Sequence, residues 1–455
     1  MSFIDKYNNV NVLKDNTWFK YLRISKRSLH GTKVVDNSMN DCPFSILGLN
    51  EEEKKHVDKY YDKKLNIAEI PLYFDQLKYS TKYLKMANRK TNYTRNRCSV
   101  IHYGQRKLLM TEVYFLSKYK LQYLPPLKNI IYTKEDVPTD KSIPIILYMG
   151  SAPGIHLKLL CKLFKGVVYH LYDKTPFDKT FTTSKSKNVF IYNTLFLDEE
   201  EKKYVKLSKK GYKIYIISDI RSFDGIREEK IVGINQDMQN HWITHINPIA
   251  SMVKFRALYE SDSITYLDGK ILLQPWVGFT STETRLIINK PNDGENYKYI
   301  TISTRDFEEK MAYYNNLIRT YSYYKHPLTC SGFYYYDEHE LPINKSAIGL
   351  DHCISCTLES IIWSMYYGYD IDKFGEDIND FMKANEKKIL KMINIATLII
   401  HRPLNVNCHG LLPGLTTKQK YDYFSDFSNK KKKLFLERYN KKESTKHKTN
   451  EYELY

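Results

Sequence analysis

The chain has 455 residues and a formal net charge of +18. That length can bury a large core, and a cationic excess of this size points to a polyanionic partner, nucleic acid ahead of an anionic membrane. No apolar run approaches the roughly 20 residues of a membrane span, the N-terminus has no signal-peptide core, and the seven scattered cysteines are odd in number, so the expectation is a soluble, intracellular protein with reduced thiols.

Residues 1–98 read as a basic, Tyr-rich extension without a sheet pattern. Asn50-Glu-Glu-Glu-Lys-Lys-His56 has the form of a capped helix start. Gln76 to Arg97 carries many Lys, Arg and Tyr residues, which suits either an RNA-facing flank or a solvated surface. The 40 tyrosines of the chain place many flat aromatic faces beside basic side chains, a combination that nucleic-acid grooves use. From Tyr103 to Ser117, Leu108, Leu109, Val113 and Leu116 mark one face of a helix, with Lys107 in its first turn. A cation is disfavoured at that end of the helix dipole, and a solvated surface lysine is the ordinary reading.

Ile145–Met149 is a continuous apolar run of strand length, Gly150-Ser-Ala-Pro-Gly154 a turn of small residues, and Ile155–Phe164 a helix stopped at Lys165-Gly166. Val167–Tyr172 is a second strand ending at Asp173. Buried strand, glycine turn, helix, strand and terminal carboxylate make the first unit of a doubly wound α/β sheet. The turn is neither the G-x-G-x-x-G of dinucleotide binders nor a P-loop, and with a ribose-binding acid it suits a nucleoside cofactor such as S-adenosylmethionine. The same turn also serves as a plain tight connection.

Asn188–Tyr192 and Lys213–Ser218 are further buried-type strands, the second leading into Asp219-Ile-Arg-Ser222. Asp219 therefore points at the same crevice as Gly150 and Asp173. Gly233–Ile246 reads as a helix broken by Asn247-Pro248, followed by strands Met252–Phe255, Lys270–Pro275 and Thr284–Ile288. Lys254 is an odd residue for such a strand, and Glu283 stands at the start of the last one. Residues 321–428 read as a mostly helical extension with a long helix from Asp372 to Ile400, and 429–455 as a basic mobile tail. Cys353, Cys356, Cys408 and His409 have a loose zinc-like pattern, but the spacing favours ordinary buried thiols and no metal is expected.

Methyl transfer from a sulfonium to a hydroxyl needs carbon and oxygen held in line, water excluded, and a base for the hydroxyl proton. A lysine can be that base only if desolvation or a neighbouring cation lowers its pKa. Lys107 and Lys254 supply two such cations, and Asp219 and Glu283 would orient them; the bland alternative is two buried ion pairs.

Tyr148-Met-Gly-Ser-Ala-Pro-Gly-Ile-His156, Ile217-Ser-Asp-Ile-Arg-Ser222, Ile246-Asn-Pro-Ile-Ala-Ser251 and Gly104-Gln-Arg-Lys107 resemble the poxvirus cap-specific mRNA nucleoside-2'-O-methyltransferases. Members of that family also serve as the small, processivity subunit of the viral poly(A) polymerase. The resemblance covers roughly residues 100–320, and the order Lys107, Asp219, Lys254, Glu283 matches the family's catalytic tetrad, shared with FtsJ-type enzymes. It implies a Rossmann-like S-adenosylmethionine-dependent methyltransferase fold over residues 99–320 with N- and C-terminal additions, and Lys254 as general base. The implied cofactor residues are Gln105, Tyr148, Gly150, Ala152, Pro153, Gly154, His156, Asp173, Phe196, Leu197, Asp219 and Arg221, with Phe196-Leu197 holding the adenine. The implied cap residues are Tyr259, where the family has Phe, Glu308, and an acid that falls at Ser261 or Asp262. The implied partners are capped mRNA and the catalytic subunit of a viral poly(A) polymerase, and the implied setting is the cytoplasm of a cell infected by a large DNA virus. Two other readings stand beside this one: a 2'-O-methyltransferase of internal rRNA or tRNA sites, and a non-catalytic RNA-binding polyadenylation factor.

Overall fold

The computed structural model describes residues 64–77, 104–183, 185–221, 228–259, 261–277, 281–314, 318, 323–328, 354–375 and 377–401. The expected helix start at Asn50, most of the Gln76–Arg97 stretch, Cys353, Cys408, His409 and the tail from residue 429 lie outside these.

In chain order the elements are β1 (Lys64–Asn66), α1 (Gly104–Lys118), β2 (Ile145–Met149), α2 (Leu157–Leu163), β3 (Val168–Tyr172), α3 (Lys179–Thr182), β4 (Val189–Tyr192), α4 (Asp198–Lys209), β5 (Ile214–Ser218), α5 (Glu228–Ile246), β6 (Ala250–Phe255), β7 (Ser263–Leu267), β8 (Lys270–Leu272), β9 (Thr284–Asn289), β10 (Tyr299–Ser303), α6 (Thr304–Tyr313), β11 (Tyr323–Lys325), α7 (Ile354–Tyr366), α8 (Ile378–Ala384) and α9 (Glu386–His401). The centre is a seven-stranded sheet of order β4-β3-β2-β5-β6-β9-β8. β4 through β6 are parallel; β9 is antiparallel to β6 and to β8.

Parallel strands covered on both faces must be largely apolar, which is why β2 reads as an unbroken apolar run, β3 as one broken only by His170, and β5 as one ending in Ser218. Successive side chains divide between two cores. Ile146, Tyr148, Tyr169 and Ile217 pack in one core with residues of α1, α2 and α7. Ile145, Leu147, Met149, Val168 and Ile216 face the other, with Tyr204 and Leu207 of α4 and Trp242 and Ile246 of α5. Strand order reverses between β2 and β5, and such a switch point opens a crevice at the carboxyl ends of the strands.

Several boundaries depart from the sequence reading. α5 begins at Glu228, with Gly233 inside it, not at its start. β6 begins at Ala250 because Ala250 and Ser251 pair with both β5 and β9. β8 ends at Leu272, since Tyr73 bridges to Leu272 and the Leu273 N–H bonds the Leu72 carbonyl. The expected helix from Asp372 to Ile400 is a 3-10 turn at Ile371–Lys373 followed by α8 and α9, which Asn385 separates. No described helix is long and apolar enough to cross a membrane.

Candidate active site

The crevice floor is the glycine turn. Gly150 has φ +74°, and a Cβ there would lie 2.8 Å from the Asp219 carbonyl carbon and the Ile220 nitrogen. Only glycine lets the end of β2 lie this close to the end of β5. Gly154 has φ +67°, with Leu157 and Phe177 against it, and the Ala152–Pro153 peptide between the glycines is cis. Asp173 closes the turn from β3: Oδ2 accepts from the Ala152 N–H at 3.0 Å and Oδ1 from the Thr175 N–H at 2.8 Å.

α1 forms a wall of the same crevice. His156 Nδ1 lies 2.7 Å from Gln105 Oε1, its Nε2 lies 2.9 Å from Glu112 Oε1, and the Tyr148 hydroxyl donates to the same Glu112 oxygen at 2.6 Å. Gln105, Tyr148 and His156 are thus joined through Glu112, a fully buried carboxylate the sequence reading missed. Glu112 Oε2 has no hydrogen-bond partner among the described residues. Burial, with Glu112 next to it, pushes the Tyr148 phenol well above its ordinary value. The Phe196-Leu197 pair divides. Phe196 is buried against Tyr172, Tyr204 and Trp242, while Leu197 is 52% exposed and Leu195, also missed, 49%.

Four side chains distant in sequence meet just beyond the turn. Lys107 Nζ lies 2.5 Å from Glu283 Oε1, and Lys254 Nζ lies 3.2 Å from Asp219 Oδ1 and 3.3 Å from Glu283 Oε2. A fifth member was not expected. Arg285 Nη2 lies 2.7 Å from Asp219 Oδ1 and 3.4 Å from Glu283 Oε1. It faces Lys254 across the β6–β9 register. Three basic side chains therefore surround two carboxylates, each of the five no more than 17% exposed. Burial pulls the Lys107 ammonium below the ordinary lysine range; Glu283 opposes this, and Arg285 and Lys254 add to it. Burial alone would raise both carboxyls. The cations outweigh it: Lys254 and Arg285 hold Asp219 below its usual value, and Lys107, Lys254 and Arg285 hold Glu283 well below. Arg221, half-buried behind Asp219, is itself lowered by burial.

The expected cap residues lie on the β7–β10 side. Tyr259 follows β6; its N–H donates to Glu229 Oε2 at 2.8 Å and its hydroxyl pairs with Thr282 Oγ1 at 2.5 Å. The Arg256 guanidinium, held by two bonds to Glu229, lies 4.1 Å from the Tyr259 ring centroid and covers one face of the ring. Asp262 is exposed, and its carbonyl accepts the Thr304 N–H at 2.9 Å where α6 begins. Glu308 sits buried on α6, and Ser261 is half-buried.

The family model described as poly A polymerase regulatory subunit matches residues 69–342, more than half of the chain. The chain belongs to that family. Among curated relatives, proteins named cap-specific mRNA (nucleoside-2'-O-)-methyltransferase are 30% identical: one from Myxoma virus (strain Lausanne) over 228 residues, 48% of this chain and 62% of that protein, and one from Fowlpox virus (strain NVSL) over 235 residues, 48% of this chain and 68% of that protein. The chain thus spans under two thirds of the myxoma protein's length. A solved structure of bluetongue virus VP4, titled as an RNA-capping production line, superposes with a TM-score of 0.32 at 13% identity, over 68% of this chain and 42% of that one; a likeness so loose carries no argument.

The family match ends before α7, yet α7 reaches the site wall. Every residue of α7 from Ile354 to Met365 is buried, and Glu359 is its one charged residue. Glu359 Oε2 accepts from Arg106 Nε at 2.9 Å and from Trp276 Nε1 at 2.7 Å, and lies 2.7 Å from Arg106 Nη2; Oε1 accepts from Trp363 Nε1 at 3.3 Å. Arg106 stands between Gln105 and Lys107, so the clamp and these two residues share one turn of α1. Cys356, of the loose zinc-like pattern, is buried on the same helix.

Proposed function

We propose that the chain is an S-adenosylmethionine-dependent, Rossmann-like methyltransferase that methylates the ribose 2'-hydroxyl of the first transcribed nucleotide of capped mRNA. The observation that carries the reading is the meeting of Lys107, Asp219, Lys254 and Glu283 in one buried cluster against the glycine turn. Family membership and the names of the poxvirus relatives support it.

The chemistry of the crevice fits the cofactor. Each Asp173 oxygen already accepts one backbone N–H and keeps acceptor capacity for a ribose hydroxyl. Gly150 brings the end of β2 against the Asp219–Ile220 backbone, so the two strand ends that border the crevice lie side by side. Leu195 and Leu197 offer exposed apolar surface for a flat base. When bound, S-adenosylmethionine supplies an electrophilic methyl group on a sulfonium.

The chain's own residues do the rest. Gln105, Tyr148 and His156, tied through Glu112, hold the α1 wall against the turn. Lys254 Nζ takes the proton of the attacking hydroxyl. That nitrogen lies between Asp219 Oδ1 and Glu283 Oε2, and Lys107 and Arg285 contact the same two carboxylates, so it is oriented from both sides. Residues 99–320 form the catalytic unit, with the 64–77 and 354–401 segments packed on it. Capped mRNA is the substrate, the catalytic subunit of a viral poly(A) polymerase is the partner implied by the family, and the setting is the cytoplasm of an infected cell.

A second reading has one observation behind it. Arg256 covers a face of Tyr259 that a cationic methylated guanine would otherwise use, which favours an internal RNA site over a cap. One experiment tests both readings: transfer of labelled methyl from S-adenosylmethionine to short RNAs of one sequence, with and without a methylated cap. The capped RNA is expected to be the better acceptor by a wide margin. Equal transfer to both replaces the cap with an internal site, and no transfer to either leaves the family's polyadenylation role alone.

A further inference from the structure

α4 and α5 lie on the face of the sheet away from α1, and a cluster there takes no part in the reading above. Glu201, in the first turn of α4, is a buried carboxylate, 7% exposed. His241 and His245 are four residues apart near the end of α5, so their side chains share one helix face, and each is about half exposed. Both imidazoles converge on the one carboxylate: His245 Nδ1 lies 2.8 Å from Glu201 Oε1 and His241 Nε2 lies 3.2 Å from Glu201 Oε2. The ring centroids are 3.8 Å apart and the ligand-type atoms of all three residues lie within 4.8 Å of one another.

We propose that Glu201, His241 and His245 form a binding site for a divalent transition-metal ion of the zinc type. Two histidine nitrogens and one carboxylate oxygen are a donor set such ions select, with water in the remaining position. Two donors each about 2.0–2.1 Å from a tetrahedral ion stand roughly 3.3 Å apart, so the 2.8 and 3.2 Å separations from Glu201 must widen by up to about half an ångström, and the three ligand atoms, within 4.8 Å of one another, must settle at that spacing. The half-exposed rings can make that movement and leave the outer side open to water. The chemistry is permissive as well. A neutral imidazole carries one N–H, and a shift of tautomer turns the nitrogen facing Glu201 from donor to lone pair, so two neutral rings and one carboxylate can take up the ion without losing protons. The ion would tie α4 to α5 one residue from Trp242, whose ring meets Phe196 edge-on at 5.2 Å.

The test is titration of the full-length, metal-free protein with Zn2+ by calorimetry, with Co2+ as a spectroscopic substitute. One equivalent is expected to bind, to raise the thermal midpoint, and to weaken by at least about tenfold in His241→Ala, in His245→Ala and in Glu201→Gln, since losing a direct ligand costs no less than losing its outer support. The two histidines are exposed enough that their alanine variants should keep the metal-free midpoint of wild type. The bound Co2+ should give ligand-field bands without a thiolate charge-transfer band. Absence of stoichiometric binding overturns the proposal, as does binding undiminished in the His241→Ala/His245→Ala double variant. A thiolate band on the first equivalent overturns it too, by assigning the ion to the cysteines.

Discussion

Arg106 and Lys107 are consecutive residues at the start of α1, both enter buried carboxylate clusters, and the two clusters differ in kind. Arg106 meets one carboxylate, Glu359, whose oxygens also take Trp276 and Trp363 N–H groups, and its guanidinium lies over the Trp276 ring, 4.8 Å from the centroid. One cation faces one anion in a dry setting. Lys107 meets Glu283 in a group where three basic side chains face two carboxylates, and Arg285 Nη1 is buried there without a partner among the described residues. A charge cluster that is matched and saturated has nothing left to offer a ligand. One left with an excess cation and an unspent donor beside a glycine-lined crevice can hold developing charge or pass a proton.

The largest effect is expected at Lys254, and it tests that contrast directly. Lys254→Ala should lower methyl transfer by about 10²–10⁴-fold, the usual worth of a positioned proton acceptor, while S-adenosylmethionine affinity stays within a few fold, since the proposed cofactor residues do not include Lys254. Single-turnover assays beside calorimetry separate the two quantities. Near-normal turnover would place Lys254 with Arg106 as an ordinary buried cation.

Glu359→Ala should do the reverse. Removing one partner of a buried pair leaves an uncompensated charge and costs about 3–5 kcal/mol of stability. Urea denaturation should show that loss, and residual activity below the unfolding transition should keep a KM for S-adenosylmethionine near that of wild type. A stable Glu359→Ala protein with a raised KM would mean that the clamp belongs to the cofactor site.

A smaller effect belongs to Asp173, which stands between the two kinds of cluster, since its carboxylate is held by backbone N–H groups yet remains partly exposed. Asp173→Ala should weaken cofactor binding by about 1–3 kcal/mol through the ribose hydroxyls left unpaired. Unchanged affinity by calorimetry would move the cofactor away from β3.

The parallel strands were legible because strands covered on both faces must be largely apolar runs, and Asp219, Lys254 and Glu283 were legible because they stand at strand ends or out of character in a strand; Lys107, in the first turn of a helix, was legible only through the family resemblance. β7 and β10 were not. They pair with each other away from the main sheet, and Tyr299, Ile300, Thr301 and Ser303 of β10 are exposed, so no apolar run marks them. Arg285, Glu112 and Glu359 escaped for a different reason. Their partners Asp219, Tyr148 and Arg106 are 66, 36 and 253 residues away, and no local spacing connects those pairs. The available signal was a charge inside an apolar pattern: Glu112 falls between Leu108 and Leu116 on the buried stripe of α1, and Arg285 directly precedes the apolar Leu286–Ile288 run of β9. A charge that interrupts a buried pattern requires a buried partner.

His170 on β3 extends the contrast to a polar group that stays neutral. It is fully buried, with Nδ1 2.7 Å from the Tyr204 hydroxyl and Nε2 3.0 Å from the Asp136 carbonyl. Burial, with Lys203 adding to it, pushes its pKa down to about 3. An unfolded histidine titrates near 6.5. Between about 3 and 6.5 the unfolded chain therefore binds a proton that the folded one refuses, so stability rises with pH across that window and is lost as pH falls through it. The slope implies a loss of about 2 kcal/mol from pH 6.5 to pH 5 from this residue. Carboxylates titrate in the same range, so the measurement is a difference: urea unfolding of wild type and His170→Phe at both pH values. The variant should be less stable at pH 7, because the Tyr204 hydroxyl and the Asp136 carbonyl lose their partner, yet its stability should fall by about 2 kcal/mol less than wild type's on acidification. Parallel pH profiles would mean that the folded protein accepts a proton at His170, and that this satisfied group, unlike the Arg106 clamp, opens in acid.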